Sequence, residues 1–497
     1  MTEPQRTQAR MTTDPIRALF VTPECAPLVK TGGLADVSAA LPAALARIAV
    51  DVRVLMPAYS QVFAQLPARE ELARIPGTAH FPAARLLRAG LDGGVPLLLL
   101  DCPELFDRPG GPYMDATGAE WPDNALRFGQ LSRVAALLAG RRSPLDWRPE
   151  VVHCNDWQTG LAPAWLHFDA EPHAASLITI HNLAFQGVFD AGYVDRLGLP
   201  ADSFHMHGLE YYGGLSFLKA GLRYAGHITT VSPTYAVEIQ REPLGMGMQG
   251  LLAERHDALS GILNGIDTAL WDPARDPLIA QTYDAASLAA KAANKRALQQ
   301  RLGLRVDAEV PLLAVVSRLA HQKGIDLVLE AADALCALPA QLAVLGTGEQ
   351  ALEQALAALA ARARGSVAAV LAFDEALSHL CEAGADIFLM PSRFEPCGMN
   401  QMYSQRYGTV PVVRATGGLV DSVTDCTPQS LAAGTATGFS FAPANAAALL
   451  AAVSRAIEAY RSPATWQSLQ RAGMARDFSW HEGARRYREL YARLAAR

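Results

Sequence analysis

The sequence predicts an α/β chain of two doubly wound domains. Short β-branched or leucine-rich runs alternate with longer alanine-rich helical patterns, which argues for mostly parallel sheets covered by helices. The alternation stops at Asn264-Gly265, a turn signal followed by Asp272-Pro273 and Asp276-Pro277, and then restarts. One motif also recurs. Thr31-Gly32-Gly33-Leu34-Ala35-Asp36 is echoed by Thr416-Gly417-Gly418-Leu419-Val420-Asp421, each copy between a predicted strand and a predicted helix. Two related βα turns facing one cleft account for the echo.

In the first half, strands are predicted at Ile16–Thr22, Val50–Met56, Val95–Asp101, Val151–Cys154, Ser176–His181 and His227–Val231, with helices at Ser38–Ile48 and Asn124–Ala139. In the second half a helix is predicted over Ala285–Leu302. Strands follow at Pro311–Ser317, Gln341–Gly346, Val367–Phe373, Asp386–Met390 and Val410–Val413, with helices at Ile325–Leu335 and Ala351–Ala363. The expected domains are 16–265 and 266–477, with the final helical segment 478–497 joined to the first; residues 1–15 are polar and read as a disordered tail.

At roughly 150 residues per domain, 497 residues allow several cores. A net charge of -6 argues against a nucleic-acid partner. Seven cysteines with no Cys-x-x-Cys pair are neither a disulfide framework nor a zinc knuckle, and reduced thiols in a cytoplasmic protein are expected. No apolar run reaches the ~18 residues that cross a bilayer.

Four motifs carry chemistry. In Lys30-Thr-Gly-Gly-Leu-Ala-Asp-Val37, Gly32 and Gly33 let a ligand approach the backbone, and Lys30 offers a point charge to a phosphate. In Ser317-Arg318-Leu-Ala-His-Gln-Lys323-Gly324, Arg318 and Lys323 are placed to meet one diphosphate and to neutralise a leaving nucleotide without a metal. The absence of an Asp-x-Asp pair fits that reading. Pro391-Ser-Arg-Phe-Glu395-Pro-Cys397-Gly398 ends a strand, where open α/β sheets place ligands, and Gly398–Arg406 reads as the helix that follows. Glu395 is a carboxylate for sugar hydroxyls or for positive charge at C1, or else an ion-pair partner of Arg393 or Arg406. Cys397 reads as a buried, inert thiol. The fourth motif, His181-Asn182-Leu-Ala-Phe-Gln-Gly187, also follows a strand; Asp156, in His153-Cys-Asn-Asp-Trp157, is a second carboxylate near the sugar or a helix N-cap.

Together with Asn-Gly-Ile-Asp at 264–267 and Tyr-Gly-Thr-Val-Pro-Val-Val-Arg-x-Thr-Gly-Gly-Leu at 407–419, these motifs resemble, in order, the bacterial glycogen synthase and plant starch synthase family. The resemblance implies the GT-B architecture, two Rossmann-like domains with a cleft between them. It implies metal-independent transfer of glucose from ADP-glucose to the non-reducing end of an α-1,4-glucan, with retention at C1 and no cofactor. By resemblance, Lys30, Arg318 and Lys323 contact the diphosphate, while Gly32, Gly33, Gly417 and Gly418, with Thr416, form the close-approach loops. Asp36, Tyr113, Asp156, His181, Asn264 and Glu395 surround the transferred glucose, beside Cys397 and Gly398. Where relatives tend to have Gly-Tyr next to the nucleotide base, this chain has Ala372-Phe373, which keeps a stacking ring and loses a hydroxyl.

Three rival readings compete with this one. Another GT-B transferase with a different donor or acceptor is opposed by the long Lys30–Val37 motif. A non-catalytic glucan-binding paralogue is opposed by the retained charged residues. A nicotinamide dehydrogenase is opposed by the lack of Gly-x-Gly-x-x-Gly after the first strand.

Overall fold

The computed structural model describes residues 15–90 and 94–496; residues 1–14 of the predicted tail lie outside the described residues. The chain forms two compact units, one running through Ile228 and including the segment from His481, the other Thr229–Trp480. The division falls ahead of the Asn264-Gly265 turn. The reason is local: Ser232, Thr234 and Glu238 are hydrogen-bonded to Pro396, Asp421 and Gly417, all residues of the second unit.

The strands of the first unit are β1 (Ile16–Val21), β2 (Val50–Pro57), β3 (Glu70–Ile75), β4 (Ala84–Gly90), β5 (Pro96–Asp101), β6 (Val151–Asn155), β7 (Ala175–Ile180), β8 (Val188–Phe189), β9 (Glu210–Tyr211), β10 (Gly214–Ser216) and β11 (His227–Thr230), within which the chain passes to the second unit. The main sheet runs β11-β7-β6-β1-β2-β5-β4-β3, and β8, β10 and β9 form a small separate sheet. Strand β1 pairs in parallel with β2 (Phe20 opposite Val54) and with β6 (Phe20 opposite His153). The strand order therefore reverses beside β1, and the loops after β1 and β6 open at the switch point.

Antiparallel β3 and β4 escaped the sequence reading. In β4 the buried Ala84, Leu86, Leu87 and Ala89 are interrupted by outward Arg85 and Arg88, and β3 is exposed or half-buried up to Ile75, so neither shows a continuous apolar run. The first helix covers Gly33–Ala46 and so starts at the second glycine of the motif, ahead of the expected Ser38. Helix His481–Ala495 packs on this unit through Tyr487, Leu490, Tyr491 and Leu494, one buried face at helical spacing. Beneath it lies fully buried His153, with Nδ1 2.6 Å from the Tyr491 hydroxyl and Nε2 2.6 Å from Thr179 Oγ1. Burial holds its pKa well below the usual histidine range, so it is a neutral core residue.

After β12 (Leu259–Gly261), the second unit builds β13 (Leu312–Val316), β14 (Gln341–Leu345), β15 (Val367–Val370), β16 (Ile387–Met390), β17 (Val410–Arg414) and β18 (Phe439–Phe441). These six form a parallel sheet in the order β15-β14-β13-β16-β17-β18. Side chains alternate between two cores. Leu313, Val315, Leu342, Val344 and Leu389 pack on one face, while Leu312, Ala314, Leu345, Phe388 and Met390 pack on the other. Burial on both faces is why these strands read as unbroken apolar runs. Each fully buried leucine stabilises the fold by about 2 kcal/mol. The helix expected over Ile325–Leu335 is two short helices, Ile325–Glu330 and Ala332–Ala337. The order reverses between β13 and β16, and the loops after these two strands carry Arg318, Lys323 and Glu395.

Candidate active site

In the first unit, Glu24 organises the loop after β1. Its side chain is buried and accepts the Thr31 main-chain N–H (2.6 Å), the Thr31 hydroxyl (2.8 Å) and the Tyr113 hydroxyl (2.7 Å). Burial and the Glu24 charge raise the Tyr113 pKa well above the usual phenol value. Sequence reasoning missed Glu24. The signal was its place at the carboxyl end of β1, just ahead of the glycine motif. Lys30 Nζ lies 2.7 Å from Asp36 Oδ1 with both side chains partly exposed. Such a pair contributes at most ~1 kcal/mol, so a phosphate can replace Asp36 as its partner. At Gly32 a Cβ would meet no atom within 4 Å, so this loop presents open space to a ligand.

Asp156 follows β6 with φ 55° and ψ −172°, a conformation that side chains rarely adopt and that concentrates at functional sites. It does not cap the helical turn behind it. Its Oδ1 instead accepts the main-chain N–H of His181 at 2.7 Å, tying the ends of β6 and β7 together. Burial pushes its pKa up to about 7 against those N–H donors, so the carboxyl takes up a proton near neutrality. Asn155 Nδ2 donates to the Val21 carbonyl at 2.9 Å, which turns Asn155 Oδ1 toward His181 Nε2, 2.9 Å away. An amide oxygen only accepts, so the His181 proton sits on Nε2 and Nδ1 is left as an acceptor. Burial lowers the His181 pKa to about 3, and the ring is neutral at working pH.

That depression has a measurable sign. The folded value lies below the ordinary 6.5, so the stability linked to neutral His181 is full above about pH 6.5 and is lost as pH falls toward 3. The urea-midpoint gap between the parent and His181→Gln is therefore expected to narrow from pH 7 to pH 5. A gap that stays constant contradicts the buried neutral ring.

In the second unit, Lys323 Nζ lies 2.6 Å from Glu395 Oε2, which also accepts the Ser392 hydroxyl at 3.0 Å. Glu395 is 4% exposed. The expected alternative partners are engaged elsewhere: Arg393 pairs with Asp326, and Arg406 donates to the Trp271 carbonyl at 2.7 Å and faces Asp272. Arg318 is exposed at the start of its loop, and Phe373 is 84% exposed just past β15. The Gly398–Arg406 segment becomes a helix only from Asn400, because Gly398 takes φ 68°. Cys397 is buried beside the main chain of Asn264, and burial pushes its thiol up to about 12, so it is no nucleophile.

The second glycine motif packs directly on this loop. A Cβ on Gly417 would sit 1.9 Å from the Glu395 carbonyl oxygen, and one on Gly418 2.2 Å from that of Cys397. Here the close approach is made by the chain itself, whereas at Gly32 the space is open. All seven cysteines are free. Among the described residues no helix is long and apolar enough to cross a membrane, and no three His, Cys, Asp or Glu side chains group as metal ligands.

A family model for the starch synthase catalytic domain matches residues 17–254, and one for glycosyl transferases group 1 matches 299–471. The chain is 56% identical over 483 residues to a protein named glycogen synthase from Nitrosomonas eutropha, covering 96% of each. It is 56% identical over 480 residues to one from Nitrosospira multiformis, covering 96% of this chain and 97% of that one.

The chain belongs to the glycogen and starch synthase family.

It is therefore a glycosyltransferase of the GT-B fold. Among solved structures of this family, the catalytic domain of starch synthase IV from Arabidopsis thaliana, bound to ADP and acarbose, is 30% identical with a TM-score of 0.86, covering 97% of this chain and 100% of that one. Sucrose-phosphate synthase from Thermosynechococcus elongatus, at 18% identity and a TM-score of 0.60, shares the fold alone.

Proposed function

We propose that the chain is a glycogen synthase that transfers glucose from ADP-glucose to the non-reducing end of an α-1,4-glucan, with retention at C1 and without a metal. The observation that carries this reading is the Glu395 carboxylate held by Lys323 and Ser392 at the strand-order reversal of the second sheet. ADP as the donor nucleotide is supported by the ADP bound to the starch synthase IV relative. Seven free thiols and the bacterial relatives support a cytoplasmic location.

In the second unit, Arg318 and Lys323 hold the diphosphate and stabilise its departing charge. In the first, Lys30 offers a further cation, and His181 Nδ1 accepts from a sugar hydroxyl. Retention follows from front-face attack. The acceptor oxygen bonds to C1 as the C1–O bond to the diphosphate breaks on the same side, and the acceptor proton passes to the leaving phosphate oxygen.

Labelled ADP-glucose, glycogen and excess chelator test this, with labelled UDP-glucose in parallel. Incorporation from ADP-glucose that β-amylase releases as labelled maltose is expected. Incorporation from UDP-glucose alone, or a requirement for metal, overturns the donor or the metal-free reading. Phe373→Ala is expected to raise KM for ADP-glucose about 5- to 100-fold by loss of base stacking, with kcat little changed. Phe373→Tyr is expected to leave KM at or below the parent value. An unchanged KM in Phe373→Ala removes Phe373 from the base site.

A further inference from the structure

We infer that Glu238 is a positioning residue for glucosyl transfer, holding the Thr416-Gly417-Gly418 turn and, through it, the main chain of Glu395. This rests on the function proposed above. No sequence motif marks Glu238, yet both its carboxylate oxygens are engaged. Oε1 lies 3.1 Å from Gly417 N and 3.1 Å from Thr416 Oγ1, and Oε2 lies 3.1 Å and 3.3 Å from the same two donors. The turn lies flat on the catalytic loop: Gly418 N donates to the Glu395 and Pro396 carbonyls at 3.1 and 3.2 Å, with no room for a Cβ on Gly417. A shift of the turn therefore moves the Glu395 backbone.

The helix that carries Glu238, Pro233–Glu238, is itself fastened to these segments at its other end. The Ser232 hydroxyl donates to the Pro396 carbonyl at 2.6 Å, and Thr234 donates from its N–H (2.9 Å) and hydroxyl (2.8 Å) to the Asp421 carboxylate. Helix and turn thus form one brace behind Glu395, with Glu238 as its far contact. The first unit repeats the device, since Glu24 accepts the N–H and hydroxyl of Thr31 in the other copy of the motif. In both copies a glutamate that sequence reasoning passed over satisfies the threonine ahead of the glycines.

Geometry rather than charge is what the brace requires. A glutamine keeps the acceptor for Gly417 N–H, and its amide N–H can donate to the Thr416 hydroxyl, which also accepts. Glu238→Ala is expected to lower kcat for transfer to glycogen about 10- to 100-fold, as a displaced reacting group does, with KM for ADP-glucose within about threefold. Glu238→Gln is expected to restore kcat to within about threefold of the parent, and Thr416→Val to add less than about twofold on top of Glu238→Ala, because the two share one interaction.

A Glu238→Gln variant as slow as Glu238→Ala overturns the inference and makes the charge itself the working feature. So does a Glu238→Ala variant whose kcat, per folded enzyme, equals the parent's. Amide hydrogen exchange over residues 416–419 gives a readout independent of the reaction. It is expected to quicken in Glu238→Ala and not in Glu238→Gln, and unchanged exchange in Glu238→Ala overturns the brace. A parent that transfers glucose from no donor defeats the proposed function instead, and the exchange result then decides the brace alone.

Discussion

Replacing Glu395 with alanine is expected to lower kcat about 10²- to 10³-fold, the usual cost of removing one aligned electrostatic group from a transferase site. The Lys323 ammonium loses its partner at 2.6 Å and the Ser392 hydroxyl its acceptor at 3.0 Å. On the proposed mechanism, the cation for the leaving diphosphate is then free to move and the sugar loses a carboxylate that fixes it. KM is expected to change less than kcat. Glu395→Gln keeps acceptors for Ser392 and Lys323 but not the charge, so it should fold like the parent and still be slow. Steady-state rates with labelled ADP-glucose decide this, and a Glu395→Ala enzyme within a few-fold of the parent removes Glu395 from the chemistry.

Gly417→Ala is expected to be the most damaging single-methyl change in the second unit's site. Gly417 has φ 46°, and its Cβ would lie 1.9 Å from the Glu395 carbonyl oxygen and 2.9 Å from its carbon. Those are backbone atoms, which cannot rotate away. Strain and overpacking together are expected to cost about 3–5 kcal/mol and more than about 100-fold in activity. Gly32→Ala is the matched contrast. It has an extended backbone at φ −162° and nothing within 4 Å of the added carbon. It is expected to fold within about 1 kcal/mol of the parent while raising KM for the donor, because the methyl enters space left for a ligand. Urea denaturation of both variants beside donor titrations separates the two cases, and equal destabilisation would show that the two glycine turns serve the same purpose.

The echo of the two motifs was legible in the sequence, but the different reasons for their glycines were not, because those depend on what packs against each turn. The strand ends that carry His181, Asp156, Arg318 and Glu395 were legible because strands buried on both faces must be short apolar runs, and polar residues that end such runs stand out. The antiparallel β3 and β4 were not, since half-exposed strands with outward arginines look like loops. Glu24 and Glu238 were missed for a related reason: a single glutamate has no period and no spacing rule, and its importance lies in which distant N–H and hydroxyl groups it reaches. Asn264-Gly265 lies in irregular chain after β12 rather than in a turn, and the division falls earlier because Ser232, Thr234 and Glu238 bind to residues far along the chain and draw that segment into the second unit.

The doubly wound α/β fold and the family could be read from the chain alone. These follow from local burial pattern and from motifs that are contiguous in the chain. Which charges meet was settled by the folded packing. Glu395 pairs with Lys323 because Arg393 is drawn to Asp326 and Arg406 to Asp272 and the Trp271 carbonyl. Only the structure, likewise, made Asp156 a tie to His181 rather than a helix cap. Partners separated by long stretches of chain leave no spacing to read, and their choice is settled by packing and by the need to satisfy every buried polar group.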